Sequence, residues 1–284
     1  MKLKLILIFA FSLSIFSYAQ TNDTIYLWKD TVPSEKSPKH KPVIMADHSK
    51  NVTRLTDVTD PAFVVFKPGA SKNNGCGIIV CPGGGYGILA IDLEGYEVAS
   101  WLNKLGYTAF VLQYRVPNKK SGALSDIQRA MRIIRSNSDS WKLNPTKLGV
   151  MGFSAGGSLS ARASTRFDVN EYSKIDKIDS ISCRPDFALL IYPAYLDEGE
   201  NRSITPELTV SRNTPPMFIF TAADDSYANS ALVMATALRD AKVPVELHVL
   251  PVGGHGYGLR KGNVAAETWP KYAEVWLKNI NKLK

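Results

Sequence analysis

Gly152-Phe153-Ser154-Ala155-Gly156 sets a serine inside a Gly-x-Ser-x-Gly pattern at the end of an apolar run. A serine on a sharp turn needs small neighbours two residues away on either side, because backbone segments must pass close to it. Its hydroxyl is a weak nucleophile until a base takes the proton. Four histidines are available. His40 and His48 lie in an irregular N-terminal stretch, and His248 falls within an expected strand. His255, in Gly253-Gly254-His255-Gly256, is left as the base. An imidazole that is to accept a proton needs a carboxylate to hold its tautomer. Asp224 and Asp225 both follow an expected strand. Asp225 is preferred because the later residue reaches further over the sheet edge, with Asp224 as the alternative. The fourth component is the run Pro82-Gly83-Gly84-Gly85-Tyr86-Gly87, in which glycines let backbone N–H groups turn into a site without a Cβ in the way. Gly84 and Gly85, with the N–H of Ala155, are the expected donors to an oxyanion. Together these groups suit attack on an acyl carbonyl.

Those residues are useful only if the chain brings them to one place. Gly77–Cys81, Tyr107–Tyr114, Leu148–Met151, Phe187–Tyr192, Pro216–Thr221 and Val245–Val249 read as strands, mostly continuous apolar runs as expected for burial on both faces. Helical spacing over Glu94–Leu105, Asp126–Ser136, Ser158–Thr165, Ser230–Ala241 and Trp269–Leu283 alternates with them. Strand–helix alternation predicts an α/β fold with a mostly parallel central sheet and helices on both faces. Ligands of such sheets sit beyond the carboxyl ends of the strands. The glycine run, Ser154, Asp224-Asp225 and His255 all follow such ends, in the order serine, acid, histidine that α/β-hydrolases share. Two further strands, within Asn51–Val58 and Ala62–Phe66, are expected at the sheet edge. Thr21–Asp47 reads as an extended arm, and Asp197–Asn213 as a loop or small cap.

Composition narrows the function. The chain has 284 residues, 45% hydrophobic and 21% charged, which is ordinary for a globular protein. Residues 1–19 have a basic start, an apolar stretch and Ser17-Tyr18-Ala19 as a small-x-small site, the layout of a signal peptide. They are expected to be removed, leaving residues 20–284 as a single catalytic domain that is secreted or periplasmic. No later run is long enough to span a membrane. The formal charge is +8, but the basic residues are scattered and not interleaved with aromatics, so nucleic acid is not an expected partner. The three cysteines, Cys76, Cys81 and Cys183, have no zinc-site spacing. No Gly-Lys-Ser/Thr follows the glycine run, against a phosphate loop. Neither a metal nor a cofactor is expected.

Pro82-Gly83-Gly84-Gly85-Tyr86, Gly152-Phe153-Ser154-Ala155-Gly156-Gly157 and Gly253-Gly254-His255-Gly256-Tyr257-Gly258 together resemble the α/β-hydrolase esterases. More closely, they are similar to the acetyl xylan esterase and feruloyl/acetyl esterase group. Leu27-Trp28, Glu94-Gly95, Trp101-Leu102-Asn103, Tyr114-Arg115 and Asp126 with Arg129-Ala130 fit the same group. Many of its members carry histidine before the glycines or shortly after the elbow, where this chain has Pro82 and Ser158. The resemblance implies a secreted serine carboxylesterase removing acetyl groups from xylan-type polysaccharides or oligosaccharides. A feruloyl esterase or a serine peptidase would use the same three residues. A silent sugar-binding protein would have no use for all of them. Tyr86, Tyr192, Tyr195 and Tyr257 are the aromatics expected to meet sugar rings.

Overall fold

The computed structural model describes residues 23–280. The expected signal peptide, at residues 1–19, and the last four residues lie outside the described residues.

The described residues begin with β1 (Thr24–Tyr26), β2 (Val43–Ile44), β3 (Arg54–Thr56), β4 (Ala62–Phe66), β5 (Gly77–Cys81) and β6 (Leu89–Ala90). A π-helical turn at Asp92–Tyr96 leads into α1 (Glu97–Lys104), followed by β7 (Thr108–Gln113) and α2 (Lys120–Ser136). Next come β8 (Leu148–Phe153), α3 (Ala155–Thr165), β9 (Ala188–Ile191), β10 (Met217–Ala222), α4 (Ala228–Asp240), β11 (Val245–Leu250) and α5 (Val264–Asn279). Among the described residues eight strands form the main sheet, in the order β1-β4-β7-β5-β8-β9-β10-β11. The run β7-β5-β8-β9-β10-β11 is parallel throughout. β5, β8, β9 and β10 are buried along their whole length, as their unbroken apolar sequences require. Because β5, β8, β10 and β11 run in one direction, the residues after their last positions share an edge.

Several expectations change in detail, among them the start of α2, at Lys120 rather than Asp126. β4 pairs with β7 on one side and with β1 on the other, so the edge belongs to β1 rather than to Ala62–Phe66. The N-terminal arm is more than a surface strap. Trp28 is buried and donates from Nε1 to Asp126 Oδ1 at 2.9 Å. Arg115 donates to the same carboxylate through Nε at 2.9 Å and through its own amide at 3.0 Å, and reaches the Pro33 carbonyl at 2.5 Å. A buried carboxylate needs such donors, and here they nail the arm to β7 and α2. The strand within Asn51–Val58 is β3, which joins β2 and β6 in a separate small sheet. Finally, α5 begins at Val264 rather than at Trp269, because the Asn263 side chain accepts from the Ala265 and Ala266 amides at 2.8 and 3.2 Å and so caps an earlier start.

Candidate active site

Ser154 joins β8 to α3 with φ 52° and ψ −119°, a strained conformation for a residue with a side chain. Close packing explains the flanking glycines. A Cβ on Gly152 would overlap the Gly156 carbonyl, and one on Gly156 would overlap the Cys81 carbonyl and lie 2.6 Å from that of Pro82. The turn therefore nests against the end of β5, which brings Ser154 beside the glycine loop.

Ser154 Oγ lies 2.7 Å from His255 Nε2, and His255 Nδ1 lies 2.7 Å from Asp225 Oδ2. With its proton on Nδ1, the ring donates to Asp225 and accepts from the serine hydroxyl. Asp225 is buried and its other oxygen accepts the Tyr227 amide at 2.9 Å. Asp224 faces the other way. Its oxygens accept the Gly253 and Gly254 amides at 3.2 and 2.8 Å, and these bonds, led by Gly254, hold its carboxyl below the usual range. One carboxylate thus meets the imidazole and its neighbour fixes the loop that carries it.

On the opposite side, Gly84 and Gly85 have φ 131° and 63° and line a cleft of about 340 Å³ that contains Ser154 and His255. Among the described residues no protein acceptor is bonded to either amide. Ala155 is the first residue of α3, where helix amides have no intrahelical acceptor. Three N–H groups are thus free to serve an oxyanion next to the serine.

A carboxylate behind the glycine loop does not stand out in the motifs. Glu94 is 3% exposed. Its Oε2 accepts the Gly83 amide at 2.7 Å, and its Oε1 accepts the Tyr192 hydroxyl at 2.8 Å. Tyr192 Oη in turn accepts the Gly258 amide at 3.0 Å. Burial pushes the Glu94 carboxyl above its usual range, against these hydrogen bonds. The chain Gly83–Glu94–Tyr192–Gly258 links the glycine loop, the end of β9 and the His255 loop. In the sequence it is marked only as part of the Glu94-Gly95 match to the esterase group, with no role attached; a Cβ on Gly95 would meet Val111 at 2.8 Å.

The four tyrosines separate. Tyr195 lines the cleft. Tyr86, Tyr192 and Tyr257 are buried and do not. Tyr86 packs between Tyr114 and Tyr195. Tyr192 lies edge-on to His255 at 5.0 Å and to Tyr257 at 4.4 Å. Those three therefore support the site rather than offering a face to sugar. Tyr227, which no sequence motif marks, takes an open position. It lines the cleft, with its ring 5.0 Å from that of His255 and 5.5 Å from that of Tyr195. Cys76, Cys81 and Cys183 are buried thiols without a disulfide, and burial raises the Cys81 pKa to about 12. Among the described residues no group of three or more His, Cys, Asp or Glu side chains could hold a metal ion.

The chain is similar to several known proteins. Residues 64–184 match the BD-FAE family model. The acetylxylan esterase of Xylanibacter ruminicola is 31% identical over 271 residues, 84% of this chain and 52% of that protein. Endo-1,4-beta-xylanase B of Butyrivibrio fibrisolvens is 35% identical over 205 residues, 63% of this chain and 32% of that protein. The chain thus spans about half of one curated relative and a third of the other. The crystal structure of an acetyl ester-xyloside bifunctional hydrolase from Caldicellulosiruptor lactoaceticus superposes with a TM-score of 0.73 at 33% identity, covering 92% of this chain and 97% of that one. A serine, a histidine and a carboxylate in hydrogen-bonded sequence at the sheet edge, in a chain with these relatives, mark it as a member of the α/β-hydrolase esterases, in the group that includes the acetylxylan esterases.

Proposed function

We propose that this protein is an exported serine carboxylesterase that removes acetyl groups from xylan-type polysaccharides or oligosaccharides. The observation that carries the chemistry is the chain of two 2.7 Å contacts, Ser154 Oγ to His255 Nε2 and His255 Nδ1 to Asp225 Oδ2. Ser154 Oγ attacks the ester carbonyl as its proton passes to His255 Nε2. The carbonyl electron pair moves to oxygen, where the amides of Gly84, Gly85 and Ala155 receive it. Each such donor is worth about 3–4 kcal/mol in the transition state. Collapse breaks the bond to the sugar oxygen, which leaves with the proton from His255. Water then attacks the acetyl-serine, giving one proton to His255, and acetic acid departs as that proton returns to Ser154, ionising to acetate in solution. Asp225 stays ionised and stabilises the imidazolium twice in each cycle.

The substrate assignment draws on the relatives, whose names refer to acetylxylan, xyloside and xylan cleavage. Export draws on the composition of residues 1–19. No helix among the described residues is long and apolar enough to cross a membrane. The test is release of acetate from acetylated xylo-oligosaccharides, beside ferulate from feruloylated ones and turnover of p-nitrophenyl acetate. Ser154→Ala is expected to lower every ester activity by several orders of magnitude. Retention of activity would overturn the mechanism. Ferulate release outpacing acetate release would overturn the choice of acyl group.

A further inference from the structure

Lys50 and Val52 line the cleft, and the loop that carries them, residues 47–52, is held by two arginines. Arg54 Nη1 donates to the Asp47 and Val52 carbonyls at 3.0 Å each, and its Nη2 to that of Ser49 at 3.2 Å. Arg260 Nη1 donates to the carbonyls of Lys50 and Asn51 at 3.1 and 2.6 Å. Two guanidinium groups therefore grip five of the loop's six carbonyls. Arg260 is in turn tied to Glu97 at 2.6 Å and Asp92 at 3.7 Å, which fastens the loop to the helical turn carrying Glu94. Within the loop, Lys50 and Asn51 both have left-handed backbones, φ 56° and 53°. Asparagine adopts this conformation readily, whereas for lysine it has a cost, and strain of this kind clusters at functional sites.

The side chain presented is that of Lys50. It is exposed and lines the cleft together with Arg54. Among the described residues no carboxylate pairs with its Nζ. Among the described residues the one carboxylate lining the cleft is Glu94, and both of its oxygens are engaged. Arg54 is itself paired with Asp47, Nη1 to Oδ2 at 3.7 Å, so among the described residues lining the cleft Lys50 is the cation left to meet an anion at the rim. We propose that the preferred substrate is an acetylated oligosaccharide that also carries a carboxylate, as a uronic acid branch does, and that Lys50 pairs with that carboxylate while Ser154 faces the ester. The inference rests on the acetyl-glycan reading above and specifies its substrate class.

The test compares kcat/KM for acetate release from acetylated xylo-oligosaccharides with and without a uronic acid branch. The native protein is expected to favour the acidic substrate by about 1.5-fold to fivefold at low salt, the range of a solvent-exposed ion pair, and the preference should shrink as salt screens it. Lys50→Met is expected to bring the ratio near one, and Lys50→Glu to invert it. Equal rates on both substrates by the native protein, or an unchanged ratio in Lys50→Met, would overturn the inference while leaving the acetyl-glycan reading standing. Turnover of p-nitrophenyl acetate with neither oligosaccharide cleaved would overturn that reading and this inference with it.

Discussion

Replacing Glu94 with glutamine changes one atom, and the surrounding hydrogen bonds dictate the response. The carboxylate accepts two of them, from the Gly83 amide at 2.7 Å and the Tyr192 hydroxyl at 2.8 Å. A carboxamide has one acceptor oxygen. If that oxygen faces Gly83, the NH₂ faces Tyr192 and the tyrosine hydrogen loses its acceptor. If it faces Tyr192, the NH₂ opposes the Gly83 N–H. Either way one buried donor is stranded, at a cost of about 1–3 kcal/mol. The group has nowhere to retreat, since a Cβ on Gly83 would already lie 2.5 Å from Glu94 Oε2 and 2.7 Å from the Phe153 carbonyl. Relief must come from moving the glycine loop, and Gly84 and Gly85 move with it. Part of the oxyanion stabilisation is then lost, and that loss is felt in the transition state rather than in bound substrate. The expected result for Glu94→Gln is a kcat lower by about tenfold to a hundredfold with KM nearly unchanged.

The same substitution has a pH signature. Burial raises the folded-state pKa of Glu94 above its ordinary 4.5, so the folded protein holds this proton more tightly than the unfolded chain. Its contribution to stability is therefore full below about pH 4.5 and is lost as pH rises through the raised value. Glutamine does not titrate. The unfolding free energy of the native protein minus that of Glu94→Gln, followed by denaturant melts, should decline with rising pH across that window. A kcat equal to native, or a loss confined to KM, would refute the argument that Glu94 acts through the glycine loop. A flat or rising difference would refute the assigned proton affinity.

The remaining predictions concern neighbouring elements. Asp225→Asn should lower kcat by about 10⁴-fold, because the amide favours the wrong imidazole tautomer. Asp224→Asn should lower it far less, since that residue touches only the backbone of the His255 loop; steady-state kinetics on both variants decide the assignment. Gly156→Ala forces a Cβ against the carbonyls of Cys81 and Pro82 and should destabilise the protein by about 1–3 kcal/mol, read as a lower denaturant midpoint. Trp28→Phe removes a buried hydrogen bond to Asp126 and should cost about 1–2 kcal/mol, with release of the N-terminal arm visible as faster proteolysis before Leu27.

Much of this site is legible in the sequence because its signals are local. An apolar run and then a glycine-flanked serine announce a strand and a turn, and parallel strands need no further information to share an edge. The preference for Asp225 over Asp224 rests on reach beyond the strand end, and Asp225 is the one that meets His255. The hidden part depends on contacts remote in sequence. Trp28, Arg115 and Asp126 are scattered matches to one family along the chain, and only the fold makes them a single buried ion-pair cluster. Tyrosines suggest themselves by their faces, but periodicity does not say which ring is covered. Tyr192 and Tyr257 are hidden by packing against each other, while Tyr227 reaches the cleft. The loop of Lys50 reads as ordinary polar sequence because the arginines that shape it lie four and 210 residues away.

Three carboxylates at one sheet edge divide the work by burial and orientation rather than by residue type. Asp225, buried at the end of β10, meets the imidazole. Asp224, exposed, holds the amides of Gly253 and Gly254. The side chain and the backbone of the His255 loop are therefore governed from the same turn, and His255 cannot shift without β10. Glu94 governs the glycine loop from the opposite side of the cleft. Between these two assemblies the Tyr192 hydroxyl is a bridge, donating to Glu94 and accepting from Gly258. Its ring is fixed by Phe153, Tyr257 and His255, so the bridge is short and stiff. A buried bridge of this kind makes its ends interdependent. Removing either Glu94 or the Tyr192 hydroxyl breaks the same connection, so the losses from Glu94→Gln and Tyr192→Phe should not add in the double variant. Full additivity in kcat would mean that base and oxyanion donors are positioned independently, and that the carboxylate behind the glycine loop serves only that loop.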